Sequence, residues 1–333
     1  MIRLLRLGIA LAVLWMLYWG AAGYALKHSV AGWFTAQETR GWQADYADLS
    51  LGGFPIRHDL VLTGPALADP QNGTAWQADG LTLSSPAIWP GWQSWRFPDT
   101  AQRFSYFDQT VVLRADDMQA DLHLRPGRAL ELERLGLTAG GWSLSSDAGE
   151  IMGASDLTLS MDQGAQPEVY AFQAQAQRFT PGLGLRSLGG SQPALPASFE
   201  TLTLQMQVTF DRPWDRSALE DSRPQPRQID LRLLDVHWGP LRLKAAGEVT
   251  VDSQGIPDGS LSIQAENWRN MLVMAQTSGV LPPQAFGPAE RVLGLLAGLN
   301  GNAETLDVTL GFQNGFVTLG PLPLGPAPRI VLR

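Results

Sequence analysis

Histidine is the residue type best suited to proton transfer and metal binding near neutral pH, and this sequence contains only four. They are His28, His58, His123 and His237. No two lie two or four residues apart, the spacings that put a pair of rings on one face of a strand or helix. We therefore expect isolated strand or loop histidines and no metal site.

Three carboxylates, Asp116, Asp117 and Asp121, stand close together on a segment that we expect to be a strand. Asp117 and Asp121 would share one face and Asp116 would take the other, which favours a solvated surface over a catalytic pair. The absence of cysteine excludes thiol catalysis, and neither a Gly-x-Ser-x-Gly elbow nor a phosphate-binding glycine loop occurs. We expect a non-catalytic protein without a cofactor; an envelope hydrolase is the alternative.

An aromatic cluster lies in the segment Trp89-Pro90-Gly91-Trp92-Gln93-Ser94-Trp95-Arg96-Phe97-Pro98. Tryptophan rings favour the boundary between membrane and water, and exposed aromatic groups mark binding surfaces. Trp89, Trp92, Trp95 and Phe97 are therefore candidates for contact with a ligand or a membrane. The alternative is that they fill one end of a sheet.

The N-terminus has the pattern of a membrane anchor. Arg3 and Arg6 precede an uncharged apolar run from Leu7 to Leu26, which Lys27 ends. About 20 such residues span a hydrocarbon core of roughly 30 Å as one helix. The basic start predicts that residues 1–27 begin in the cytoplasm and cross the inner membrane once, with the bulk of the chain in the periplasm.

A cleaved secretory signal is the competing interpretation, because Gly20-Ala21-Ala22 has the small residues of a cleavage site. The protein would then be secreted to the periplasm without an anchor. Against cleavage, Trp15, Tyr18, Trp19 and Tyr24 cluster toward the exit end, where aromatic rings anchor membrane helices. Both interpretations export the remaining chain.

Composition indicates a folded protein with a substantial core. The 333 residues are 44% apolar and 17% charged, with a net charge of −8. An acidic surface does not attract nucleic acid, so we expect no nucleic-acid partner. The fold also has no disulfide, because the chain has no cysteine.

After a predicted helical linker over residues 28–41, the hydrophobic pattern changes to a period of two, which predicts a β-rich domain over 42–333. The clearest strand is Thr201 to Phe210, where Leu202, Leu204, Met206 and Val208 share one apolar face. This face is a candidate for contact with a ligand or a membrane. Similar alternation occurs at Leu157–Met161, Ile229–Leu233, Leu241–Leu243, Leu261–Ile263 and Leu306–Leu310.

The expected fold class is mainly β: a transmembrane helix, then a long curved antiparallel meander with two late amphipathic helices packed on it. The alternation slips by one residue at Arg134 and at Leu233-Leu234, and both slips predict β-bulges. Helical spacing predicts the late helices at Asn267–Val280 and Gln284–Leu299. The Gly-, Ser- and Pro-rich stretch at 187–196 is either a sub-domain break or a long hairpin loop.

Two further segments carry a family resemblance. Leu51-Gly52-Gly53-Phe54-Pro55-Ile56-Arg57 and the closing stretch from Asn314 to Pro328, together with the anchor, resemble a bacterial envelope family known as domain of unknown function 2125. The resemblance implies no catalytic residues. Residues Gly259–Ile263, with the two helices after them, are also similar to the AsmA-like envelope proteins. That likeness implies a long apolar groove and a role in phospholipid movement.

From these observations we expect a protein that binds or shields a lipid or another apolar ligand in envelope biogenesis or maintenance. The membrane is the expected partner, through the anchor, with phospholipid as the expected ligand. The alternative is a scaffold or assembly factor that recruits other envelope proteins through sheet edges or the tryptophan segment.

Overall fold

A computed structural model describes residues 1–180, 198–220, 222–277, 283–299, 302–320 and 322–332. The protein is mainly β, with 51% of its residues in strands. The stretch at 187–196 lies outside the described residues.

The helices are α1 (Ile2–Thr39), α2 (Ser217–Glu220), α3 (Trp268–Thr277) and α4 (Pro283–Leu299). The strands are β1 (Gln43–Asp45), β2 (Asp48–Gly52), β3 (Arg57–Thr63), β4 (Ala66–Asp69), β5 (Thr74–Gln77), β6 (Gly80–Pro86), β7 (Trp92–Arg96), β8 (Gln102–Tyr106), β9 (Gln109–Ala115), β10 (Gln119–Leu124), β11 (Leu132–Ala139), β12 (Trp142–Ser146), β13 (Gly149–Ala154), β14 (Leu157–Gln163), β15 (Val169–Phe179), β16 (Phe199–Phe210), β17 (Pro226–Trp238), β18 (Leu241–Val251), β19 (Pro257–Glu266), β20 (Thr305–Gln313), β21 (Phe316–Leu319) and β22 (Leu322–Pro326).

The chain divides into two compact units: unit 1 is Met1–Leu124 with Ser143–Gly149, and unit 2 is Arg125–Trp142 with Glu150–Arg333. In unit 1 the strands form two antiparallel series, β2-β3-β6-β7-β10 and β1-β4-β5-β8-β9-β12. The chain moves between them through short turns such as Gly64-Pro65, where Gly64 has φ +59°. The predicted simple meander therefore does not extend through unit 1.

Helix α1 is a single helix, so the predicted linker at 28–41 continues the anchor as helix as far as Thr39. Every residue from Ile2 to Leu14 is exposed. From Trp15 onward one side of the helix is covered by the β-strands of unit 1, at Trp15, Trp19, Gly23, Leu26, Val30, Phe34 and Gln37. This spacing of three and four residues is the period of one helix face.

The core of unit 1 contains the side chain of Phe34 from α1 and five from the strands. The strand members are Ala44, Leu49, Leu60, Leu62 and Leu83. Gly23 lets the helix approach this layer closely, since a Cβ there would lie 2.4 Å from Leu51 Cδ2. The C-terminal half of α1 is therefore part of a folded core.

Unit 2 contains the predicted meander, because each strand from β14 to β22 pairs with the next one along the chain and β11 pairs with β14. The bulge predicted at Leu233-Leu234 is confirmed by a register shift between Leu231 and Leu234. The β11–β14 pairing begins at Arg134 and runs regularly from there to Ala139, so the bulge predicted at Arg134 stays a prediction. Leu132 and Leu135, on either side of it, both pack against the cluster around Tyr170.

The two late helices are confirmed as α3 and α4. They bury Trp268 and Leu293 against the strand residues Ala265, Leu306 and Val308. Farther along α3, Met271 and Met274 pack on a second cluster of Phe199, Trp238 and Leu241. A third cluster contains Met161, Tyr170, Val208 and Phe210, with Trp214 packed against it. The helices and the Trp214 segment thus cover separate parts of the apolar strand face of unit 2.

Candidate functional site

The four histidines have four different partners. The His58 ring N–H donates to the Trp19 carbonyl at 3.0 Å, and the His123 ring stacks on Trp92 at 4.9 Å. His237 Nδ1 lies 3.4 Å from Glu200 Oε2, and His28 Nε2 lies 3.4 Å from the Tyr24 hydroxyl. Within the described ranges, no group of three or more His, Asp or Glu residues could hold a metal ion.

The acidic group lies differently from the expectation, because Asp116 and Asp117 fall in the turn between β9 and β10. Asp117 has φ +48°, a conformation that Asp tolerates better than most residues, and its backbone N–H donates to Asp99 at 2.9 Å. Asp121 is on β10 and accepts from Gln119. The predicted strand face shared by Asp117 and Asp121 is therefore wrong.

The structure divides the aromatic cluster between two environments. Trp89 and Trp92 are exposed and their rings contact each other edge to face at 6.2 Å. Trp95 points to the other face of β7, where it packs against the core of unit 1 and donates to Gln93. Phe97 is half-buried. Trp95 therefore follows the sheet-filling alternative, whereas Trp89 and Trp92 remain available for contact.

The apolar face predicted for β16 contains Leu202, Leu204, Met206 and Val208, and its members have different neighbours. Leu202 packs against the Trp238 cluster, while Met206 and Val208 belong with Tyr170 and Trp214. Leu204 lies between these two groups, is half-buried and belongs to none of the clusters described for unit 2. Leu202 and Met206 are also half-buried, so what distinguishes Leu204 is that it packs in none of these clusters.

Leu204 belongs to a row of apolar side chains that crosses the strands of unit 2. The register places them directly opposite one another, in the order Leu137, Leu159, Ala174, Leu204 and Leu234. All five are half-buried. We call them the open row. The pairing continues from Leu234 to Ala245, Ile263 and Val308, which lie under the late helices.

A recess of about 570 Å³ lies at the helix-covered end of this row. Its lining includes Leu233, Ala245, Ile263 and Val308 from the strands and Leu296 from α4. Leu233 lies in the bulge of β17. The lining also includes Lys244, Gln264 and Asp307, so the recess offers an apolar wall with polar groups beside it.

Polar interactions border the apolar face. The buried Tyr170 hydroxyl accepts from the backbone N–H of Trp214 at 3.0 Å and donates to the Leu132 carbonyl at 3.2 Å, which fixes the Trp214 segment to β11. Burial raises the pKa of Tyr170 above its ordinary value. On the opposite face, Arg242 Nη2 donates to Asp235 at 2.8 Å, and this hydrogen bond lowers the pKa of Asp235.

The sequence reasoning missed how α1 joins unit 1. Trp15 Nε1 donates to the Pro55 carbonyl at 3.0 Å, the Tyr18 hydroxyl to Ala87 at 2.9 Å and Trp19 Nε1 to Arg57 at 2.7 Å. The spacing of Trp15, Trp19 and Gly23 was the available signal. The carbonyls that accept these bonds belong to two turns and to the first residue of β3, which the sequence pattern does not place against the helix.

Helix α1 and the antiparallel strands define a mainly β protein whose N-terminal helix is long and apolar enough to cross a membrane. The chain belongs to the family described as "Uncharacterized protein conserved in bacteria (DUF2125)", whose model matches residues 19–328. This confirms the resemblance seen in the Gly-Phe-Pro and closing segments. A comparison with curated proteins found no match. The likeness to AsmA-like proteins stays a prediction.

Proposed function

We propose that this is a non-catalytic protein of the bacterial envelope, anchored once in the inner membrane with its bulk in the periplasm, and that unit 2 binds a lipid acyl chain along the open row. The observation that carries the proposal is the incomplete cover of Leu137, Leu159, Ala174, Leu204 and Leu234. Apolar side chains that remain partly in contact with water gain stability when an apolar ligand covers them.

The dimensions of the open row support an acyl chain. Neighbouring strands are about 4.8 Å apart, so five members in line span roughly 19 Å. Half of a hydrocarbon core is about 15 Å thick, which is the extent of one chain in a leaflet. The recess beside Leu296 extends the same row and offers room for one end of the ligand.

The packing of α1 supports a retained anchor over a cleaved signal. Cleavage after Ala22 would remove Trp19, whose ring stacks on His58 at 5.0 Å and whose N–H satisfies the Arg57 carbonyl. It would also remove Trp15, whose Nε1 donates to the Pro55 carbonyl at 3.0 Å. Arg3 and Arg6 at the start of α1 support a cytoplasmic N-terminus.

Site-specific photocrosslinking tests the proposed ligand. A photoreactive residue is placed at Leu204 or Leu159 of the full chain in bacterial cells, with Gln175, exposed on the opposite face of the neighbouring strand, as the control. We expect adducts of phospholipid mass at positions 204 and 159 and none at 175. Circular dichroism verifies that each variant folds.

Folded variants without a lipid adduct at both 204 and 159 would overturn the proposal. Adducts to another protein at these positions would favour the scaffold alternative. A second variant, Leu204→Glu, introduces a charge into the row, and we expect it to abolish the lipid adduct read at position 159. Because Leu204 is half-buried, the carboxylate keeps access to water, and circular dichroism verifies the fold of this variant as well.

A further inference from the structure

Five exposed apolar side chains of unit 1 lie where α1 emerges from its strands. They are Phe54, Ile56, Ile88, Trp89 and Trp92, each between 45% and 71% exposed, and we call them the collar. We propose that the collar inserts into the lipid bilayer around the anchor helix, so that this end of unit 1 is embedded in the leaflet. The proposal requires that α1 spans the membrane and is independent of the open row.

Hydrogen bonds hold the collar at one height along α1. Trp15 and Trp19 donate to the carbonyls of Pro55 and Arg57, which flank Ile56. The Tyr18 hydroxyl donates to Ala87, the residue before Ile88. The Ala87 N–H in turn donates to the Ile56 carbonyl at 2.9 Å, which ties the two loops together. The collar therefore cannot move along the helix without breaking these bonds.

The free part of α1 is too short to cross the membrane alone. Residues Ile2–Leu14, all exposed, extend about 20 Å at 1.5 Å per residue, whereas the hydrocarbon core is about 30 Å thick. The deficit of roughly 10 Å is closed when the helix enters as far as Trp19 and beyond. Because the collar is bonded to that stretch, it enters the leaflet too.

The side of α1 that faces away from unit 1 supports this depth. It continues apolar and exposed through Met16, Leu17 and Tyr24, and Lys27 is the first charged residue after the run. The stretch from Ile2 to Tyr24 is about 34 Å long, enough to span the hydrocarbon core. At the height of the collar, the helix is therefore apolar on the side that faces away from unit 1, and the collar covers its other side.

Polar groups follow directly behind the collar. Arg57 is half exposed and lies 3.4 Å from Asp59, and a recess of about 250 Å³ beside it is lined by Ser84, Gln93 and His123 among others. Trp92 spans this boundary, with its ring stacked on His123. Apolar tips backed by polar groups match the change from acyl chains to head groups.

Depth quenching of single-cysteine variants tests the insertion. The chain has no cysteine, so Ile56→Cys and Ile88→Cys each carry one fluorescent label in the full chain. Phe107→Cys is the control, because Phe107 is as exposed as Ile88, at 67%. Phe107 lies beside Gly73, which is in the same turn as Gln71, and Gln71 neighbours Gly41 just past the C-terminal end of α1. The control position is therefore near the opposite end of the helix from the collar. The proteins are reconstituted in vesicles of phosphatidylethanolamine and phosphatidylglycerol.

We expect a nitroxide on the lipid acyl chains to quench positions 56 and 88 at least about threefold more than position 107, because interfacial insertion of about 5–10 Å reaches the acyl boundary. An aqueous quencher should show the reverse order. Equal aqueous quenching at the three positions would overturn the proposal, and so would a mature chain whose mass lacks α1. If the collar were instead a binding surface for another protein, it would stay in water in these vesicles, and the aqueous quencher would act equally at the three positions.

Discussion

Phe34→Ala tests whether the C-terminal half of α1 is part of the core of unit 1. Phe34 is 5% exposed and packs with Leu49, Leu60 and Leu62, and its ring meets Tyr46 edge to face at 4.9 Å. Shortening it to Ala removes these contacts and leaves a cavity between helix and strands. We expect the free energy of unfolding to fall by about 3–5 kcal/mol, the usual cost of a buried Phe→Ala change.

Trp33→Ala is the matched control, because Trp33 is the adjacent residue and is 46% exposed. Its loss should cost only about 0.5–1.5 kcal/mol, because the half-exposed ring gives up one edge-to-face contact, with Phe34 at 5.2 Å, and leaves no core cavity. Both variants keep the apolar run from Leu7 to Leu26, so any difference between them reports packing and not membrane insertion.

Urea titration of the full chain in mild detergent, followed by far-UV circular dichroism, measures the effect. If units 1 and 2 unfold in separate transitions, only the transition of unit 1 should shift. Equal midpoints for Phe34→Ala and Trp33→Ala would refute the reasoning, because α1 would then contribute no core packing beyond residue 27.

Two further predictions concern unit 2. Tyr170→Phe should cost about 1–3 kcal/mol, since the part-buried backbone N–H of Trp214 loses its acceptor. Burial raises the pKa of the Tyr170 hydroxyl in the folded protein. The stability that this hydroxyl contributes is therefore complete below its ordinary pKa of 10.0 and is lost as the pH rises through the folded-state pKa. In urea titrations, the Phe variant should lack this loss of stability at alkaline pH. The hydrogen bond from Arg242 lowers the pKa of Asp235, so the pair stabilises the fold above pH 3.8 and the effect is lost as the pH falls through the lowered pKa. Asp235→Asn should remove about 0.5–1 kcal/mol near pH 7 and leave stability unchanged at the acid limit, and an unaltered acid profile would contradict this.

Much of unit 2 follows from local pattern. The alternation in Thr201–Phe210 predicts a strand with one apolar face, and the slip at Leu233-Leu234 predicts the bulge that the register shows. Helical spacing predicts α3 and α4 to within a few residues. Unit 1 was less predictable, because its strands are short and the turns that send the chain between two strand series, such as Gly64-Pro65, leave the choice of partner open.

The candidate site was predicted only in part, and the tryptophan segment shows why. Trp92 and Trp95 have the same type and similar sequence neighbours, yet Trp95 packs in the core of unit 1 and Trp92 remains exposed. Their three-residue separation on β7 puts them on opposite faces. Which face is covered depends on residues far away in sequence, including Phe34 of α1.

The sequence by itself determined the apolar N-terminal run, the mainly β character and the face on which each regular strand residue lies, because a period of two or 3.6 is a local property of the backbone. Only the tertiary structure decided which apolar side chains stay open. Leu204 and Met206 are equivalent in the alternation of β16, but Met206 packs in the cluster that includes Trp214 and Leu204 lies in the open row. Whether a side chain is buried depends on contacts between segments that are distant along the chain, and a local sequence pattern does not predict these contacts.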